Sequence, residues 1–271
     1  MPEGHVIRRL ATDLTDTFGG RSVSVSSPQG RFDTSTLDQM VLQGADPVGK
    51  HLFVDFEGNQ SVHIHLGLIG KLTLQEHAEP WGQVRLRITD GVTAADLRGP
   101  QWCRIITPDE KQSVIDTSGP DPLRPDADPE RGYARVKRSG KPIAALLMDQ
   151  RVAAGVGNIF RAEVLYRHGI DPTTPGRSID KRTWAVIWDD LVHLMTYAVE
   201  HGRIDTVLDE HGPEAQGRPP REDRHGGEVY VYRRGGLPCL VCGTEVRSAT
   251  LEGRNLYWCP RCQRRTTAPR R

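Results

Sequence analysis

The chain has 271 residues, room for two ordinary domains and a small appendage. An apolar share of 37% supplies a real core and excludes wholesale disorder. With 36 Lys and Arg against 35 Asp and Glu, the formal charge of +1 excludes a uniformly basic coat, though not a local patch.

No apolar run reaches the ~18 residues that cross a bilayer, and Glu3 stands where a signal peptide would begin its apolar stretch. No membrane association is expected, and the expected location is the cytoplasm. The basic residues are 30 Arg and 6 Lys, so a lysine at a special position is the scarcer event.

In chain order, Val6, Ile7, Leu10, Ala11, Leu14 and Phe18 have the spacing of an amphipathic helix over residues 3–18. The period then changes to two. Runs starting at Arg21, Lys50, Ser61, Lys71 and Gln83 alternate between Gly, Pro or Asp breaks, the pattern of an antiparallel sandwich or barrel. Residues 119–129 hold four prolines and three aspartates and read as a linker. Beyond it the pattern is helical: Ile143–Met148, Ile159–Tyr166 and Trp184–Met195, with Gly155-Val156-Gly157 as a tight turn between two helices. Residues 206–227 are rich in Gly, Pro and charge and read as a mobile loop.

The strongest local signal is at the end of the chain. Cys239-x-x-Cys242 and Cys259-x-x-Cys262 are separated by 16 residues, the spacing of a four-cysteine zinc ribbon. Each knuckle sets two thiolates on one side of a turn, and the intervening hairpin brings the pairs around a tetrahedral ion. Disulfides are disfavoured in a reducing compartment. One Zn2+ closed off by four thiolates is structural. Cys103, beside Trp102 in a strand-like run, reads as a small buried hydrophobe. Arg254 lies between the knuckles, where a phosphate contact and a solvated surface arginine are equally compatible with the sequence.

Five motifs in order then carry a resemblance over essentially the whole chain. They are Pro2-Glu3-Gly4; Gly49-Lys50-His51-Leu52-Phe53 in an early strand; His65-Leu66-Gly67; Leu147 through Asn158; and Gly253-Arg254 through Gln263. The chain resembles the formamidopyrimidine-DNA glycosylase and endonuclease VIII family of bifunctional DNA repair enzymes. Glu3-Gly4 and the helix-turn region resemble its actinobacterial endonuclease VIII-like branch.

The resemblance implies an α+β fold with three parts. Residues 1–122 form a catalytic β-sandwich with an amphipathic N-terminal helix. Residues 126–224 form a helical DNA-binding domain with a helix-two-turn-helix motif, and residues 225–271 form the zinc ribbon. It implies base excision repair of oxidised bases, pyrimidines foremost, by a monomer that acts on damaged DNA with the oxidised base flipped out.

It also implies roles. Pro2, once Met1 is removed, is the nucleophile, because an α-amine with a pKa near ~8 is partly neutral at pH 7. Attack at C1′ expels the base and leaves an iminium, which opens the way to β- and δ-elimination. Glu3 is the acid–base group. Lys50 and Arg254 belong to the catalytic set, and Lys50, Arg254 and Asn158 hold the phosphates around the lesion. Leu68 is the wedge candidate.

Bland readings stand beside each role. Pro2 suits the first position of a helix, Glu3 suits its first turn, Lys50 a solvated strand edge and Leu68 a core. His63 and His65, two apart on one strand, receive no role. Where the purine-repair branch carries an Arg-x-Phe wedge after Asp-Pro-Arg, this chain reads Asp96-Leu97-Arg98-Gly99-Pro100-Gln101-Trp102. An 8-oxoguanine or formamidopyrimidine glycosylase remains the alternative, as does a non-catalytic zinc-dependent binder of damaged DNA. A protein-contacting zinc adaptor leaves Pro2, Glu3 and Lys50 unexplained.

The near-zero total hides a division. Residues 1–217 carry 24 Lys and Arg against 30 Asp and Glu, whereas residues 218–271 carry 12 against 5. The basic end coincides with the cysteine motifs.

Overall fold

The apolar spacing of the first residues produces α1 (Gly4–Phe18), which buries Ile7, Ala11, Leu14 and Phe18. In the computed structural model, which describes residues 2–222 and 227–264, the chain divides into two units, Met1–Ser118 and Gly119–Arg271.

The first unit is a β-sandwich. One sheet has the order β1 (Arg21–Ser22), β3 (Val41–Val48), β4 (His51–Phe56), β5 (Gln60–His65) and β9 (Trp102–Ile106). The other has the order β2 (Ser24–Ser26), β7 (Val84–Thr89), β8 (Thr93–Arg98) and β6 (Lys71–Glu76). All pairings are antiparallel. Alternation along the strands fills one core from both sheets and α1: Leu14 and Phe18 pack with Leu52, Phe56, Ile64, Leu86 and Leu97. The helix α2 (Pro108–Thr117) closes the unit and starts with a capping box between Thr107 and Glu110.

α1 runs antiparallel to β3. The Gly20 amide donates to the Leu42 carbonyl at 2.8 Å, and the Ala45 amide donates to Thr15 Oγ1 at 2.9 Å. That direction carries the first residues of α1 toward the end of the sheet that holds the β3–β4 turn.

The second unit is helical, with a two-stranded ribbon. It contains α3 (Pro129–Lys137), the short α4 (Ile143–Leu146), α5 (Asn158–Arg167), α6 (Lys181–His201), α7 (Pro213–Gln216), β10 (Arg247–Leu251) and β11 (Arg254–Trp258). One core joins helices and ribbon: Phe160, Leu165, Trp184 and Leu191 belong to the same buried cluster as Tyr230, Val246, Cys239 and Cys259. No helix among the described residues is long and apolar enough to cross a membrane.

Several sequence expectations change. β3 and β8 carry no clean alternation: β3 contains Gly44 and Pro47, and its register shifts between Leu42 and Gly44. The 21–26 run is two strands in different sheets. The helix expected over Ile143–Met148 ends at Leu146. The 206–227 segment is not a structureless loop in its described part. It holds a 3-10 turn at Asp209–His211 and α7, and Arg218 pairs with Glu228 at 2.7 Å while Gln216 donates to the Leu240 carbonyl at 2.7 Å. Residues 223–226 of that segment, residues 265–271 of the basic tail and Met1 lie outside the described residues.

A buried carboxylate fixes the entry to the ribbon. Glu163, fully buried on α5, accepts hydrogen bonds from the Tyr230, Val231 and Tyr232 amides at 2.7, 2.9 and 2.8 Å, and from Thr206 Oγ1 at 2.7 Å. A hydrogen bond to a charged acceptor contributes about 1.5–3 kcal/mol. Glu163→Gln presents an amide N–H toward those donors, so the second unit should lose about 2–3 kcal/mol in chemical denaturation. An unchanged unfolding midpoint would show that the carboxylate is not needed there.

Candidate functional site

The N-terminal residues adopt neither of their bland readings. Glu3 is the N-cap of α1, so half-buried Pro2 lies outside the helix rather than at its first position. Glu3 is itself buried at 2% exposure, and its side chain makes no capping hydrogen bond. Glu3 is thus a buried carboxyl group next to Pro2 in the chain, at the start of α1.

Lys50 is not on a strand edge. It occupies, with Gly49, the two-residue turn between β3 and β4, where Val48 pairs with His51 and Gly49 takes φ +58°. Leu68 is not a core residue. It sits in the turn after β5 at 61% exposure, followed by Ile69 at 85%. The β4–β5 pairing, with Leu52 opposite Ile64, puts the Lys50 turn and the Leu68 turn at the same end of the first unit.

Between those turns lies an aromatic cluster that the sequence shows only in part. The rings of His51 and Trp102 lie 4.5–6.3 Å, centroid to centroid, from each other and from those of His63 and His65, and His51 Nδ1 lies 2.9 Å from His63 Nε2. His63 and His65 are therefore not a pair of satisfied strand histidines. His63 Nδ1 and His65 Nδ1 are buried without a hydrogen-bond partner. Burial, then His51, lowers the His63 pKa to about 3; burial, then His65, Arg104 and Lys50, lowers that of His51 to about 4. Burial, then Lys50, also lowers that of His65. The cluster is neutral at pH 7, which leaves Lys50 as the cation of this turn.

In the second unit, Asn158 opens α5 behind Gly157 as N-cap. Its Nδ2 donates to the Asn255 carbonyl at 2.9 Å, and the buried Arg161 donates to Asn158 Oδ1 and, at 2.9 Å, to the same carbonyl. The helix start is thereby tied to β11, whose first residue is Arg254. A concave site of about 360 Å3 lies between them, lined by Arg254, Arg161, Lys141, Arg151, Asp149 and Glu252 among others. Lys141 pairs with Glu252 at 2.8 Å and Arg151 with Asp149 at 2.7 Å. Four cations against two carboxylates leave this concavity suited to an anion. Arg161 escapes sequence reading because it lies inside an apolar helix; its spacing of three from Asn158 was the available signal.

The four cysteines form a tight cluster. Their ligand atoms lie within 4.8 Å of one another, with Cys239 and Cys259 buried. The Cys262 amide points at Cys259 Sγ at 3.4 Å, and Tyr166 Oη on α5 lies 3.1 Å from Cys239 Sγ. Donors aimed at sulfur suit thiolates, and four thiolates suit zinc. Cys103 packs against the sandwich core, and burial pushes its thiol up to about 12.

Residues 1–101 match the formamidopyrimidine-DNA glycosylase N-terminal domain, residues 118–209 the formamidopyrimidine-DNA glycosylase H2TH domain, and residues 236–265 the zinc finger found in FPG and IleRS. The chain belongs to the formamidopyrimidine-DNA glycosylase and endonuclease 8 family: it is a DNA glycosylase of base excision repair with abasic-site lyase activity. It is 47% identical to Endonuclease 8 1 of Mycobacterium tuberculosis, over 97% of this chain and 100% of that one. Probable endonuclease 8 2 of Streptomyces coelicolor is 30% identical over 97% and 94%, and the formamidopyrimidine-DNA glycosylase of a Synechococcus is 30% identical over 97% and 98%. Among solved structures, MutM (Fpg) of Thermus thermophilus superposes with a TM-score of 0.76 at 27% identity, over 97% of this chain and 98% of that one. Lactococcus lactis Fpg with an abasic-site DNA gives 0.78 at 20% identity, over 97% and 99%, and so shares the fold.

The neutral histidines predict an acid response of the first unit. Their folded pKa values lie below the ordinary 6.5, so their contribution is complete above pH 6.5 and is lost as the pH falls toward 4. The melting temperature of the first unit should therefore fall between pH 6.5 and 5, above the main carboxylate range, and His63→Gln should flatten that slope. An equal slope in the variant would contradict it.

Proposed function

We propose that this chain excises oxidised bases, pyrimidines foremost, from DNA through a Schiff base on Pro2, and then cuts the strand by β,δ-elimination. The observation that carries this reading is the placement of Pro2 just outside α1 with buried Glu3 as the uncapping N-cap. With Met1 removed, the Pro2 secondary amine is the chain end and needs little tuning to be neutral at pH 7. Its lone pair attacks C1′, the C1′–base bond breaks, and the base leaves with a proton. Glu3 delivers a proton to the ring oxygen as the sugar opens to an iminium. The iminium acidifies the C2′ proton, whose loss expels the 3′ phosphate; a second elimination expels the 5′ phosphate, and hydrolysis frees Pro2.

Lys50 and Arg254 serve the phosphates flanking the lesion, and Asn158 holds the same backbone from the start of α5. Leu68, exposed at its turn, fills the space left by the extruded base. One Zn2+ bound by Cys239, Cys242, Cys259 and Cys262 holds the ribbon that carries Arg254 and takes no part in the chemistry. The working divisions are 1–122 for catalysis, 126–224 for the helical DNA-binding part and 225–271 for the ribbon. We propose a monomer acting on damaged DNA in the bacterial cytoplasm. The pyrimidine preference is supported by the missing Arg-x-Phe segment and by the higher identity to an endonuclease 8 than to the 30–31% formamidopyrimidine-DNA glycosylases.

Borohydride should trap wild-type protein on duplexes holding an oxidised pyrimidine or an abasic site, and Pro2→Gly should abolish or strongly reduce trapping. Absence of any adduct with wild type on either substrate would sink this reading. Cys259→Ser, or zinc removal by a chelator, should loosen the ribbon and weaken duplex binding by on the order of 10-fold or more; unchanged affinity would contradict the role given to the ion.

A further inference from the structure

The segment 77–83 that joins β6 to β7 carries Trp81 at 68% exposure. An exposed indole grouped with other exposed apolar side chains, here Leu68 and Ile69, marks a contact surface. This one is braced. The Arg98 guanidinium lies 4.5 Å from its ring centroid, and Arg98 Nε and Nη2 donate to the Trp81 carbonyl at 3.3 and 3.2 Å. Arg98 is in turn held by fully buried Asp96 at 3.0 Å and by Thr73 Oγ1 at 3.4 Å. Asp96 also pairs with buried Arg87 at 3.3 Å, so the support reaches into the sandwich.

The register places this brace beside the wedge candidate. Arg98 pairs with Lys71 on one side and with Val84 on the other. Lys71 begins β6, directly after the turn that exposes Leu68 and Ile69. Ile69 lies beside Gly99, where an added Cβ would come within 3.8 Å of Ile69 Cγ1. Trp81, Leu68 and Ile69 are thus exposed at one end of one sheet, interleaved with the cations Lys71 and Arg98. A rigid aromatic plane backed by a guanidinium, with flanking positive charge, is the surface that stacks a nucleobase and tolerates its phosphates.

We propose that Trp81 is a stacking platform for the unpaired base that faces the extruded nucleotide. This rests on the glycosylase reading above and deepens it. The family motif that reads the opposite strand is altered here, and Arg98 is spent beneath Trp81 rather than pointing out to hydrogen-bond a base. Every base has a π-face, so a stacking contact ranks the four bases weakly, whereas a hydrogen-bonding contact separates them. Weak discrimination among opposing bases follows.

The test uses the full-length zinc-loaded protein and duplexes with a tetrahydrofuran abasic analogue opposite A, C, G or T. Trp81→Ala should weaken binding by on the order of 10-fold, to a similar degree against all four bases. Trp81→Phe should keep most of the affinity, and both variants should melt with wild type, since the side chain is exposed. With 2-aminopurine opposite the analogue, wild type should quench its fluorescence and Trp81→Ala should not. Unchanged affinity in Trp81→Ala, or a loss confined to one opposing base, would overturn the proposal. Borohydride trapping of wild type on a natural abasic site separates the two levels: trapping without an affinity change removes only the Trp81 platform, whereas no trapping removes the glycosylase reading with it.

Discussion

The second unit is organised around one buried charge. Glu163 accepts three successive backbone amides and a threonine hydroxyl, with no water needed to complete its shell. A carboxylate in such a place is costly unless every lone pair is engaged, and the geometry that engages them admits one path for residues 230–232. That path leads straight into Cys239. The same helix carries Asn158 and Arg161 at its start, tied to Asn255, and Tyr166 at its end, against Cys239 Sγ. One helix therefore sets the entry to the ribbon, its tip and its thiolates together, and Arg254 inherits its position from all three.

The first unit solves a different problem. In the proposed reaction an amine nucleophile at the chain end must be accessible, yet its acid–base partner must be held away from bulk water. Placing Glu3 at the N-cap of α1 does both: the helix buries the carboxylate while the residue before it remains outside the hydrogen-bonded turn. The neutral histidine cluster next to Lys50 leaves the lysine as the cation of its turn. The division of charge matches this arrangement. The mildly acidic body carries a few placed cations, and the basic excess lies at the ribbon end, so binding should weaken with salt less steeply than for a wholly basic DNA-coating protein.

Much of this was legible in the sequence, for identifiable reasons. The cysteine spacing, the helix of residues 3–18 and the strands with clean alternation depend on local pattern, and they appear where the pattern puts them. β3 was hidden because Gly44 and Pro47 interrupt its alternation, and α2 and α3 because they are short and polar. Lys50 and Glu3 were recognisable as residues, but their turn and cap positions depend on a one-residue offset that periodicity does not resolve. The roles of Glu163, Arg161 and Tyr166 were hidden because each has a partner 67 to 94 positions away, which for Tyr166 is a sulfur. Trp81 was missed because exposure and a cation beneath a ring are properties of packing alone.

The central claim is that the covalent chemistry belongs to the N-terminal secondary amine. Its most direct test is to trap the protein on an abasic-site duplex with borohydride, digest the adduct and locate the sugar remnant by mass spectrometry. The remnant is predicted on Pro2, in a peptide that has lost Met1. A remnant on Lys50 or on any other lysine, with an unmodified Pro2, would contradict the account.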